Sequence, residues 1–412
     1  MTKAQSAPFR YLRAELWQSL CSVRPANRNP DRWIMLGLAL FAVARAVLSS
    51  HVPFLLEQDM FSYRSMALDP SSYFGQVSAH HAQRVLPSLV VWFLDRGLGI
   101  DVDLGFALLS AAGYLTAVVA FYWALRCMDL SPALALGTTL LAASSQWPVV
   151  YALRNIWQAN DAWTFALAVL LIVEVERKRL PVLCLLGVLS VFVRQNLPIL
   201  AAAGFLHLAI QQKSWRPLAA LAVMGAVGIA NIVLPDGGEK AIEAHLFGDL
   251  IRVSGTLEAL HYVPLLSFPF LPLFLLPRFW KLARRYWWVM AFSMATIIQA
   301  ILVAEVGGPY NTQRLMMPAL WVMFLLVGQT ARATFPRPSQ QLAYLALPAL
   351  VAISRLLAPD SVWHEHRILV GAGMAILTCF ALLPSRSSVG LPKQPMSGTI
   401  SSRRNDAENG DL

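Results

Sequence analysis

The chain has 412 residues, 57% of them hydrophobic and 14% charged, with a mean hydropathy of +0.54 and a net charge of +10. Water-soluble domains carry about 25% charged residues, so a separate soluble domain is excluded. No basic patch interleaved with aromatics supports nucleic-acid binding either. Apolar runs near the roughly 20 residues that a bilayer requires recur along the chain. Only helices or closed barrels satisfy their own backbone groups in lipid. The expected class is an all-α, polytopic helical membrane protein.

Taken in chain order, residues 1–32 form a basic N-terminal segment in which YLRAELWQSL has the pattern of a short interfacial helix. The AVARA stretch at 42–46 resembles a cleavage site, but Arg45 interrupts the apolar run, and the first span is expected to remain uncleaved. About twelve spans are predicted within a transmembrane domain at 33–384. They lie at 33–50, 104–126, 132–150, 161–175, 180–194, 196–211, 216–234, 262–277, 286–304, 314–330, 341–357 and 367–384. Between the first two lies a long loop, 51–103, whose apolar stretch 84–97 is too short to span and is expected to lie in the interface, with Trp92 and Phe93 toward lipid. Residues 385–412, rich in Ser, Pro, Gly and charge, read as a disordered tail.

With both termini cytoplasmic, alternation puts most of the 33 Lys and Arg residues inside and most of the 23 acids outside. That is the bias the positive-inside rule demands, so the net +10 is a signal of topology. The 51–103 loop then faces outward. Cys21, Cys127, Cys184 and Cys379 are expected to form no disulfide, and no zinc-ligand spacing occurs.

Ionisable residues gather on the outer side. Arg64, Arg84, Arg154, Arg194 and Arg314 are candidate phosphate ligands, because the planar guanidinium fork matches phosphate oxygens. The plainer alternative is that each anchors a helix end. Glu57 and Asp59 just beyond the first span are candidate carboxylates for general-base work or metal binding, against the alternative of a solvated loop pair. Tyr63, His81 and Asp161 are candidate sugar or acceptor contacts, although an acid at the start of a helix is also explained by the helix dipole. His80-His81 and His364-x-His366 read more simply as solvated loop histidines than as metal ligands.

An inside-to-outside first helix, a long outer loop opening on acidic residues (HVPFLLEQDMF), an interfacial segment (RVLPSLVVWFLDRGLG) and later spans carrying Asp161, Arg194 and Arg314 together resemble the GT-C superfamily of membrane glycosyltransferases. The resemblance covers roughly residues 33–330 and is one of architecture. It implies an inverting, bacterial mannosyltransferase-like enzyme at the outer face of the cytoplasmic membrane. The implied donor is a polyprenyl-phosphate sugar, and the implied acceptor is an envelope glycan or lipid. Asp59 is the first choice of base, seconded by Glu57. No cofactor is required, although a divalent cation (Mg or Mn) could assist. The long C-terminal soluble domain of some oligosaccharyltransferases is lacking, and Glu-Gln-Asp is not the adjacent acidic pair of some members. The alternatives are a transporter or lipid flippase, an envelope polysaccharide polymerase, and a non-catalytic scaffold.

Overall fold

A computed structural model describes residues 28–50, 57–74, 77, 79–144, 150–154, 156–235, 277–302, 308–335, 337, 340, 341 and 345. The expected spans at 262–277, 341–357 and 367–384 fall outside these residues but for isolated positions, as do the N-terminal interfacial segment and the tail.

Among the described residues the chain is helical, with no strand. The helices are α1 (Arg28–Ser50), α2 (Glu57–Leu68), the single turn α3 (Ala79–Ala82), α4 (Val85–Leu98), α5 (Val102–Cys127), α6 (Pro132–Ser144), α7 (Ala159–Glu176) and α8 (Leu180–Val191). They continue with α9 (Leu197–Gln212), α10 (Arg216–Val233), α11 (Pro277–Arg285), α12 (Trp287–Leu302) and α13 (Gly308–Thr334). A 3-10 turn, Pro70–Tyr73, follows α2; a π turn, Val150–Arg154, and a 3-10 turn, Ile156–Gln158, precede α7.

Four stretches are long and apolar enough to cross a membrane: Pro30–Ser49, Val102–Cys127, Arg216–Val233 and Arg314–Thr334. Shorter apolar helices occupy Pro132–Ala143, Leu180–Val191, Leu197–Gln212 and Trp287–Ile301. α7 has 18 residues, but Asp161, Glu174 and Glu176 lower its apolar character. Large apolar side chains point outward from α1 (Trp33, Leu40, Leu48) and α10 (Val223, Ile229). A water-soluble fold hides such residues, and a surface of this kind is compatible with lipid as the surrounding solvent. Residues 314–331 of α13 are all buried, so the bundle packs around this helix.

Small residues let the helices approach closely. A Cβ on Gly113 of α5 would stand 2.9 Å from the Ala162 Cβ of α7, and one on Gly204 of α9 would stand 2.6 Å from Val175 Cγ2 of α7. A Cβ on Gly328 of α13 would meet Leu130 Cδ2 and Thr138 Oγ1 at 2.9 Å. Close approach at small residues is the usual basis of helix association in lipid, where burial of apolar surface gives no net drive.

The two ends of the bundle differ. One end is basic: Arg126 on α5 donates to Asp31 on α1 at 3.0 Å, Arg177 stacks 4.1 Å over the Trp123 ring, and Arg278 donates to the carbonyls of Ala333 and Thr334 at the end of α13. At the same end, Gln329 and Arg332 both donate to the carbonyl of Met128. The opposite end gathers the N-termini of α5, α7, α9 and α13 with the short helices α2 to α4.

The 84–97 stretch forms α4. Val85, Pro87, Ser88 and Val91 are buried against the bundle, and Phe93 is 62% exposed. Asp101 caps the next helix, its side chain accepting from the N–H groups of Asp103 and Leu104. The span expected at 180–194 is shorter in the structure, and the one expected at 196–211 is shifted by one residue. α8 stops at Val191 and α9 begins at Leu197. Pro198 fits the first turn of α9, where its missing N–H would be unpaired in any case, and residues 192–196 form an unwound turn that carries Arg194 and Asn196 into the interior with Gln195 part-buried between them.

Candidate functional site

The site is built on that turn. Arg194 donates through Nη1 to Asp161 Oδ1 on α7, and Arg314 Nε on α13 donates to Asp161 Oδ2 at 2.7 Å. All three side chains are buried. Asp161 lies in the first turn of α7, where the helix dipole already favours a carboxylate. A buried charge is tolerable only when paired and hydrogen-bonded, and here one carboxylate holds two guanidinium groups.

Pro318 completes the geometry. A helical N–H at 318 would donate to the carbonyl four residues back, at Arg314; proline has none. Arg194 Nη2 donates to that carbonyl instead, at 3.3 Å. Arg194 thus joins the carboxylate of one helix to a main-chain acceptor freed in another.

A second cluster is continuous with the first through Gln195. The buried Arg84 donates to Tyr63 Oη at 3.3 Å and to Gln195 Oε1 at 3.4 Å. Gln195 donates to Gln83 Oε1 at 2.6 Å. Asn231 of α10 donates to the carbonyls of Gln83 and Val191, and accepts from Tyr73 Oη at 3.2 Å. The Leu86 N–H donates to the Phe192 carbonyl, so the start of α4 is pinned to the α8–α9 turn. The His81 ring meets Tyr63 edge-on, 5.4 Å between centroids. Burial holds the Tyr73 hydroxyl above the usual phenol range, and its bond to Asn231 uses that retained proton.

Asp161, Arg194 and Arg314 therefore come together; Tyr63, His81 and Arg84 form the adjoining cluster. Arg64 is placed elsewhere, half-exposed on α2 with its Nε donating to Asp103 on α5 at 3.1 Å. Arg154 is half-buried at the end of the π turn. Glu57 and Asp59 belong to the first turn of α2, but their side chains lie outside the described residues, as do those of His80, His364 and His366. Cys127 and Cys184 are free thiols; Cys21 and Cys379 lie outside the described residues. Among the described residues no group of three or more His, Cys, Asp or Glu side chains is arranged to hold a metal.

Sequence reasoning passed over the neutral members: Gln83, Asn160, Gln195, Asn196 and Asn231. The available signal was their setting. An amide inside AVGIANIVL, or an Arg-Gln-Asn run closing an apolar helix, is costly in lipid unless hydrogen-bonded.

The chain matches no protein-family model, no curated protein and no solved structure. What the fold and composition define is a class: an all-helical protein with apolar, membrane-compatible helices and a buried arginine-rich polar site at one end of its bundle.

Proposed function

We propose that the chain is a membrane glycosyltransferase that moves a sugar from a polyprenyl-phosphate donor to an envelope glycan or lipid acceptor at the outer face of a bacterial cytoplasmic membrane. The observation that carries this reading is the clustering of buried guanidinium groups at one end of the bundle. Among the described residues, Arg194 and Arg314 both donate to Asp161, and Arg84 lies in the adjoining cluster. Guanidinium groups and helix N-termini both favour a phosphate ligand.

In the proposed reaction Asp59 accepts the proton of an acceptor hydroxyl. The hydroxyl oxygen bonds to the anomeric carbon from the face opposite the phosphate. The bond between that carbon and the phosphate oxygen breaks, its electron pair passes to the oxygen, and polyprenyl phosphate leaves. The configuration inverts. Arginines near the phosphate offset the charge gathering on the leaving group. A divalent cation held by Glu57 and Asp59 could assist, and the scheme does not need one.

The test is transfer by the reconstituted protein from a labelled polyprenyl-phosphate hexose, with Asp59→Asn beside the wild type. The expected result is product from the wild type and its collapse in the variant at equal expression. Movement of the labelled lipid between leaflets without any glycosylated product would assign a transporter instead.

A further inference from the structure

Two buried amides flank the ion-paired centre. Asn160 directly precedes Asp161 and is 1% exposed; Asn196 lies two residues beyond Arg194 and is 2% exposed. The Asp161–Arg194 ion pair ties together the helix starts on which they sit, since Asn160 is in the first turn of α7 and Asn196 immediately precedes α9. Asn196 occupies the capping position of α9 yet makes no capping bond there.

Among the described residues, neither Oδ1 nor Nδ2 of Asn196 has a hydrogen-bond partner, and neither does Oδ1 of Asn160. Buried amide groups without partners are rare, because burial removes water and the loss goes uncompensated. Both oxygens of Asp161 already accept from guanidinium groups. The two asparagines therefore supply uncommitted hydrogen-bonding capacity beside the centre.

From this placement we infer that Asn160 and Asn196 form the hydroxyl-recognising half of the site and bind the sugar of the lipid-linked donor. The inference rests on the glycosyltransferase reading above. Its chemistry follows from the two groups. A phosphate offers chiefly acceptors, which suits arginine. A sugar hydroxyl both donates and accepts, and so does a carboxamide. A site built to pair with hydroxyls rejects a ligand lacking them, because its own polar groups are then left buried and unpaired. The division of labour gives Arg84, Arg194 and Arg314 the phosphate, and the asparagines the glycosyl group.

The experiment is equilibrium binding to the full chain in lipid nanodiscs, with two probes: polyprenyl phosphate, and the same lipid carrying mannose or glucose. The wild type is expected to prefer the glycosylated lipid. Asn196→Ala and, separately, Asn160→Ala are expected to weaken binding of the glycosylated lipid at least about tenfold, leaving polyprenyl phosphate bound as before. Equal wild-type affinity for the two lipids would overturn the inference while leaving phosphate recognition standing. Equal losses for both lipids in the variants would do the same. A wild type that binds neither lipid would overturn the inference and the glycosyltransferase reading together. Should either variant fail to fold, the wild-type preference still decides.

Discussion

Pro318 withholds a helical N–H from the Arg314 carbonyl, and Arg194 Nη2 supplies the missing donor at 3.3 Å. A residue that usually weakens a helix interior here creates a main-chain acceptor inside the bundle. Pro318→Ala would restore a competing donor from α13 itself. The expected outcome is a helix as stable as before or more so, with Arg194 less firmly held. At about 1 kcal/mol for the displaced bond, affinity for polyprenyl phosphate should fall roughly fivefold. Hydrogen exchange at position 318 and lipid binding measured together check this; unchanged affinity would show that the carbonyl contact does not position Arg194.

Asp161 balances two buried cations. Replacing it with Asn leaves Arg194 and Arg314 without their shared counter-charge, and breaking a buried pair from one side costs about 3–5 kcal/mol. Asp161→Asn should therefore lower the unfolding midpoint sharply in detergent. Combining it with Arg194→Met should recover part of the loss, because one uncompensated cation is removed. If the double variant is no better than the single, the destabilisation has another origin.

Gly113 sets the distance between α5 and α7 one residue away from Asp161. A Cβ there would stand 2.9 Å from the Ala162 Cβ and 3.1 Å from its carbonyl carbon, which is backbone and cannot rotate aside. Gly113→Ala is expected to cost about 1–3 kcal/mol through overpacking, and to weaken phosphate-lipid binding through displacement of Asp161. Gly37, with nothing within 4 Å of its Cβ position, provides the control: Gly37→Ala should leave both readouts unchanged.

Two groups in the α2–α4 region couple its stability to pH. Asp69 is held below the usual carboxylate range, first by the Ser71 hydroxyl and then by the Ser71 N–H, at 2.8 and 2.9 Å. Its contribution is in place above about pH 4 and is lost as pH falls through the lowered folded value. Burial holds Tyr73 above its ordinary range. The stability carried by its protonated hydroxyl is in place below about pH 10 and is lost as pH rises through the raised folded value. Stability measured by unfolding across pH should fall less steeply at the acid end in Asp69→Asn and less steeply at the alkaline end in Tyr73→Phe.

The all-helical class and the long apolar helices among the described residues were legible in the sequence, because apolar run length is a local quantity. The short stretch at 84–97 is a helix with Phe93 outward, as its length and aromatic content suggested. Asp161, Arg194 and Arg314 were each legible as ionisable residues near helix ends. Their partnership was not, since Arg314 and Asp161 are 153 positions apart and nothing local encodes the pairing. The role of Pro318 depends on which side chain approaches the carbonyl it frees, a tertiary fact. The amides went unread because Asn and Gln carry no charge to attract notice, although burial makes an unpaired amide nearly as conspicuous as an ion.

The same sequence separation governs how the molecule comes into being. Asp161 emerges from the ribosome first, Arg194 follows 33 residues later and Arg314 only after 153. At the usual pace of protein synthesis that second interval is roughly 8–30 s. Throughout it α7 and α9 carry an incomplete charge cluster. The last partner arrives on the helix around which the bundle packs, so a chain truncated before α13 would enter the membrane with its polar centre unfinished. Such a product should be a preferred target for membrane quality control.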